Sequence, residues 1–155
     1  MPVQRSKVFV LAASAAAVVL LWACGKDRFT TKPQLTFKEA ESYTIPRGGI
    51  MTFRLEFTDK EGDLGDSIFI QTITTRCNAS NRRIGYLLPE FPAGSNAKGE
   101  IEINFANGQF VPGFVALPGP ACGRPDTTIF RFWIRDNANN VSDTVQTDRP
   151  LIILN

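Results

Sequence analysis

The feature that most constrains this chain is the two-residue rhythm of its apolar side chains beyond residue 34. In residues 50–57, Met51, Phe53, Leu55 and Phe57 alternate with Thr52, Arg54 and Glu56. Successive side chains of a strand point to opposite faces, so this segment makes one apolar face and one polar face. A helix would scatter the same residues around its circumference. Residues 100–105 repeat the pattern, with Ile101, Ile103 and Phe105 set against Glu100, Glu102 and Asn104. Residues 128–135 place Phe130, Phe132 and Ile134 on one face. Weaker strands are predicted at 34–38, 67–74, 83–88 and 144–154. The last is interrupted by Asp148-Arg149-Pro150, where proline lacks a ladder donor and implies a bulge or an edge. No segment carries a sustained helical period. Seven strands with no helix to cover a sheet require two sheets packed face to face. The reading is all-β: a single immunoglobulin-like β-sandwich over residues 34–155.

The start of the chain reads differently. Arg5 and Lys7 precede an uncharged apolar run over residues 8–23, rich in alanine, valine and leucine. The run is shorter than the roughly 20 apolar residues of a spanning helix, and with its basic flank it reads as a signal peptide over residues 1–23. Its end, Leu21-Trp22-Ala23-Cys24, resembles the lipobox of bacterial lipoproteins. Leu21, Ala23 and Cys24 fit that pattern, and Trp22 departs from it. The resemblance implies a diacylglyceryl group (palmitate-type chains) on Cys24 with cleavage just before it. It also implies lipid anchoring at the outer membrane or cell surface. Two acyl chains are what stable anchoring needs. Residues 24–33 are polar and form a tether that spans about 30 Å when extended. Gly25 follows the cysteine, so the aspartate that marks inner-membrane retention in enterobacteria is absent, and Lys26-Asp27 resembles a surface-export signal of the Bacteroidota.

Cleavage at that point removes two of the 17 basic residues and none of the 15 acidic ones, leaving a formally neutral chain. A neutral chain lacks the basic surface that nucleic-acid binding demands. Of the three cysteines, Cys77 and Cys122 are left in a compartment where disulfides persist. In the sandwich topology the strands at 67–74 and 128–135 are antiparallel neighbours. Cys77 follows the end of the first and Cys122 precedes the start of the second, so both fall at one pole and a bridge is predicted.

The acidic residues concentrate in two loops. Thr58-Asp59-Lys60-Glu61-Gly62-Asp63-Leu64-Gly65-Asp66 joins two predicted strands, and its glycines permit tight turns. Asp136-Asn137-Ala138-Asn139-Asn140-Val141-Ser142-Asp143 joins the last two. The first resembles the acidic loops of calcium-binding, cadherin-like sandwich domains, a type recurrent in lipoproteins of the Bacteroidota. It does not have the 12-residue EF-hand pattern. The resemblance implies calcium, with Asp59, Glu61, Asp63, Asp66, Asp136, Asn137 and Asp143 as candidate ligands on two loops that the topology brings to the pole opposite the disulfide. Turn chemistry alone also favours Asp, Asn and Gly in such loops.

Catalysis is not expected. The chain has no histidine, which removes the usual general base, every serine or cysteine triad and most zinc sites. Trp133 falls on the polar face of its strand between Arg131 and Arg135, where it would stack on a sugar, anchor a protein partner or be covered by arginine. Tyr86 is a second candidate for carbohydrate. The apolar connection over residues 110–120 reads as an extra edge strand or a docking patch. Asp66-Ser67-Ile68, Asp126-Thr127-Thr128 and Asp143-Thr144-Val145 resemble the O-glycosylation acceptor of the Bacteroidota. The sequence therefore suggests a non-enzymatic surface module whose partner is another surface protein or, as the alternative, a glycan.

Overall fold

A computed structural model describes residues 30–90, 94–117 and 120–155. The expected signal peptide over residues 1–23, the expected lipidation site Cys24 and the first part of the expected tether lie outside the described residues. Ten strands are present among those described: β1 (Gln34–Ala40), β2 (Thr44–Ile45), β3 (Ile50–Asp59), β4 (Ser67–Thr74), β5 (Arg82–Leu87), β6 (Ala97–Asn107), β7 (Val115–Leu117), β8 (Asp126–Arg135), β9 (Val145–Gln146) and β10 (Leu151–Ile153). One short 3-10 turn, Asn78–Ser80, joins β4 to β5.

The strands form two sheets. One has the order β1-β3-β6-β7. The other runs β2-β10-β8-β4-β5, with β9 also paired to β8. The two sheets group the predicted strands as an immunoglobulin-like sandwich requires. The first, second and fifth lie together, and the third, fourth, sixth and seventh face them.

The alternation read from the sequence is what the sandwich buries. Met51, Phe53, Leu55 and Phe57 of β3 are buried, as are Ile101, Ile103 and Phe105 of β6 and Phe130, Phe132 and Ile134 of β8. Phe53 is the hub. Its ring centroid lies 5.4 Å from Phe105 in its own sheet, and 4.9 and 5.3 Å from Phe130 and Phe132 in the other. Burying one such ring stabilises the fold by about 1.5–3 kcal/mol, and its geometry adds a directional preference.

Two irregular places take the form that the sequence reading allowed. The strand expected at 144–154 is broken into β9 and β10, because residues 147–150 carry Pro150 and Thr147 turns its side chain inward. The apolar connection at 110–120 supplies β7, which pairs in parallel with Phe105–Asn107. The Cys77–Cys122 disulfide closes the pole where β4 ends and β8 begins, with Cα atoms 5.9 Å apart. At that same pole the buried Asn107 side chain donates to the carbonyls of Ile45, Pro46 and Leu154, at 3.4, 3.0 and 3.0 Å.

Candidate metal centre at the tether pole

The opposite pole is built from the end of β3, the end of β8 and the loops that follow them. Asp59 is the last residue of β3, and strand alternation turns its side chain inward, where it is 0% exposed. The loop after it bends at Gly62, whose φ of 70° is one that L side chains rarely adopt. A Cβ there would lie 2.2 Å from the Gly94 carbonyl oxygen, so only glycine fits. The bend brings the Asp63 N–H to the Asp59 carboxylate, Oδ2, at 3.0 Å.

Asp136 follows β8 and is likewise 0% exposed. Its carboxylate accepts from the backbone N–H of Asn140 at 2.7 Å and from the Asn140 side-chain amide at 2.9 Å. Asn139 takes a left-handed conformation, which asparagine tolerates, to close that turn. The two loops then touch: the Asn137 N–H donates to the Asp63 carbonyl at 3.1 Å.

The result is a triad. One carboxylate oxygen each of Asp59, Asp63 and Asp136 lies within 4.8 Å of the others. Asp59 Oδ1 and Asp63 Oδ1 are buried without a hydrogen-bond partner among the described residues. Burial raises the Asp59 carboxyl above the ordinary aspartate range; the bond from the Asp63 N–H opposes that rise, and the neighbouring Asp63 charge adds to it. Orphaned carboxylate oxygens in a dry site are costly unless a donor or a cation meets them. The donor set is all hard, anionic oxygen, the type that calcium takes. With ligand distances of about 2.3–2.6 Å, oxygens on opposite sides of a calcium ion stand roughly 4.6–5.2 Å apart, which the spread of the triad accommodates.

The other candidate ligands stand apart from the triad. Asp66 pairs with Arg135 and also accepts from the Ser67 hydroxyl, and the Arg135 guanidinium holds its carboxyl below the usual range. Asp143 is exposed and pairs with Lys32 at 2.6 Å. Glu61 is exposed. Asn137 contributes its backbone N–H, and its side-chain amide lies over Gly65, where a Cβ would come within 3.0 Å of it. The crowding of acidic groups expected from sequence is thus relieved in part by two cations, and a smaller, drier cluster remains.

Residues 30–33, the end of the expected tether, enter at this pole. The Thr30 carbonyl accepts from the Lys60 N–H at 3.4 Å, and Gln34 at the start of β1 is opposite Thr58.

Trp133 and Tyr86 do not form one site. Trp133 is on the outer face of its sheet, stacked on Phe69 at 5.5 Å, with the Arg83 guanidinium 4.7 Å over its ring. Tyr86 is opposite Ile68 and packs against the core from the inner face, where burial raises its phenol. The arginine that covers Trp133 comes from β5, across the sheet, and not from its sequence neighbours. Two features were missed by sequence reasoning: the three-carbonyl clamp of Asn107 and the selection of Asp59, Asp63 and Asp136 from seven candidates. The signal for the two buried aspartates was strand parity: Asp59 turns inward once β3 runs to its full length, and Asp136, the residue after β8, continues the inward series of Phe130, Phe132 and Ile134.

No family model matches the sequence, and no curated protein is matched. Among solved structures the chain is similar to the sporulation control protein Spo0M from Bacillus subtilis, with a TM-score of 0.41 and 10% identity. The match covers 76% of this chain and 49% of that one, so this chain spans about half its length.

Proposed function

We propose that this chain is a lipid-anchored, non-enzymatic surface protein whose sandwich is a protein-interaction module braced by calcium where the tether enters. The observation that carries the reading is the Asp59, Asp63 and Asp136 triad with its two unpartnered, buried oxygens. A cation there joins the loop after β3 to the loop after β8, and the first of these holds the tether through Lys60 and Thr30. Calcium would thereby stiffen the junction between domain and membrane. The same burial argues against catalysis, because Asp59 and Asp136 at 0% exposure offer no room for a substrate, with only Asp63 half-buried. A glycan platform is less favoured, since Arg83 already lies over the Trp133 ring.

Amide hydrogen exchange on the whole protein tests the reading. Calcium is expected to slow exchange in residues 59–66 and 136–143 and to leave the disulfide pole unchanged. Exchange that is indifferent to calcium, or slowed evenly throughout, overturns the proposed site.

A further inference from the structure

Besides the outer edges of β1 and β5, the sandwich leaves most of one edge of β6 unpaired among the described residues. β6 is paired to β3 along its whole length without a register shift, from Ile50 opposite Ala106 to Asp59 opposite Ala97. On its other side β7 covers only Phe105–Asn107. The ladder shows which groups face that open side. The Asn107 N–H donates to the Gly49 carbonyl at 2.9 Å, and its carbonyl accepts from Gly48 at 2.8 Å. Bonding alternates along an antiparallel pair. The odd-numbered residues of β6 therefore bond to β3, and Lys98, Glu100, Glu102 and Asn104 turn their main-chain N–H and C=O outward. Gly108, next in that series, shows the direction, because its N–H reaches the Leu117 carbonyl in the β7 line at 2.8 Å.

Beside this edge the seam between the sheets is open. A groove of about 280 Å³ is lined by Ile101 and Ile103 of β6 and by Ile68, Ile70 and Tyr86 of the facing sheet. Leu87, at its rim, is 83% exposed. A strand added to β6 would drop alternate side chains into this apolar groove and turn the others to the outer face. There Glu39, Glu100 and Glu102 share the single guanidinium of Arg54, at 2.5, 3.7 and 3.0 Å. Three carboxylates on one arginine leave that cluster two charges negative, and Glu56 beside it is shared by Lys38 and Lys98, so these groups together are one charge negative.

We infer that the edge of β6 over residues 98–104 is a docking site for an extended partner segment in which apolar and basic residues alternate. Main-chain bonds to the even-numbered residues supply affinity, the groove selects apolar side chains, and Glu100 and Glu102 select Lys or Arg. A second copy of this chain is disfavoured. Two-fold pairing centred on Glu100, Ile101 or Glu102 sets carboxylate against carboxylate, which is destabilising.

The inference rests on the protein-interaction reading and deepens it, so the test separates the two. The probes are the capped peptide Lys-Val-Lys-Val-Lys-Val-Lys, its Glu-Val counterpart, and a form of the first N-methylated on alternate residues. Against the whole protein, only the unmethylated basic peptide is expected to bind, with slowed exchange at the amides of Lys98, Glu100, Glu102 and Asn104. Glu100→Pro removes an outward-facing N–H at an edge, where proline is tolerated, and its melting curve checks the fold. It is expected to weaken binding about tenfold, the scale of one lost set of main-chain bonds. Glu100→Gln, which keeps the N–H, should weaken it less. Binding that survives both N-methylation and Glu100→Pro, a preference for the acidic peptide, or self-association through β6 overturns the edge. If crosslinks to a native membrane partner persist undiminished in Glu100→Pro, the edge fails while the interaction-module reading stands.

Discussion

Asp63 donates its backbone N–H to the carboxylate of Asp59, four residues earlier, while its own carboxylate turns into the space that Asp59 and Asp136 also face. One residue thus organises the site twice, by main chain and by side chain. The division of labour explains how a loop of only seven residues after β3 can hold two carboxylates so close. The main-chain bond fixes the loop, Gly62 supplies the bend, and the Asn137 contact locks the second loop against the first. What remains unbalanced is charge, and that imbalance is what a cation would relieve.

Calcium at 100 times its dissociation constant is expected to stabilise the folded protein by about 2.7 kcal/mol, on the order of 10 °C in melting temperature. Asp63→Ala keeps the main-chain bond to Asp59 and removes one ligand. It should abolish the increase while leaving the calcium-free melting temperature close to that of the parent. A full calcium response in Asp63→Ala would dismiss the triad as a site.

The disulfide and the triad hold opposite poles, so their contributions should be separable. Replacing Cys77 and Cys122 with serine opens a loop spanning a sequence separation of 45, which costs about 4 kcal/mol in the chain-entropy model. The calcium-induced increment should persist in that variant, because independent sites add. Thermal melts of the four combinations, with and without bridge and with and without calcium, measure both terms. An increment that vanishes with the bridge would show the poles to be coupled.

Asn107 closes the disulfide pole through the end of β2 and the residue after β10. Asn107→Leu fills the space and withdraws a donor from three carbonyls, a loss of about 2–3 kcal/mol. Asn107→Asp is worse, since it sets a carboxylate against those same oxygens, and acidification should partly restore it by protonation. Denaturant melts at neutral and acid pH check the order. A Leu variant less stable than the Asp variant at neutral pH would contradict the clamp.

The fold was legible because its signals are local and redundant. Phe53, Ile103 and Phe132 each sit in a run whose period leaves one choice of buried face, and the cysteines supply a long-range check on strand order. The site was only half legible. That the loops after β3 and β8 meet follows from topology, and it is seen in the Asn137 to Asp63 bond. Which carboxylates converge depends on strand length. Sequence ended the strands near Phe57 and Arg135, whereas β3 continues to Asp59, and parity then turns that residue inward. The pairing of Asp66 with Arg135 and of Asp143 with Lys32 depends on side chains brought together by tertiary contact, which no local pattern encodes. The open edge of β6 was hidden for a similar reason. Its exposure is a property of what fails to pair beside it.

Cys24→Ser tests the anchor directly. The parent is expected in the membrane fraction and the variant in the soluble fraction, with the increase in mass from lipid seen in the parent alone. A variant that stays in the membrane uncleaved would make the apolar run itself the anchor and would discard the lipoprotein reading.

Asp59 gives the site a pH signature whose sign can be worked out. Its folded carboxyl lies above its ordinary value, chiefly because burial disfavours the charged form. The stability that its proton contributes is therefore fully present below the unfolded value, about 3.9, and is lost as pH rises through the elevated folded value. Calcium-free protein should lose stability across that window. Asp59→Asn carries no titrating charge and can still accept the Asp63 N–H, so it should flatten the loss and match or exceed the parent near neutral pH. With calcium the dependence reverses, because the ion binds carboxylates only when they are deprotonated. Its stabilising increment should be absent at low pH and grow through the same window, and Asp59→Asn should show none of it. Melting temperatures from about pH 3.5 to 7, in calcium-free and calcium-saturated buffer, give the four curves. Parallel curves for the parent with and without calcium would mean that the ion does not compete with this proton, and the cation would then have to be sought elsewhere than at Asp59.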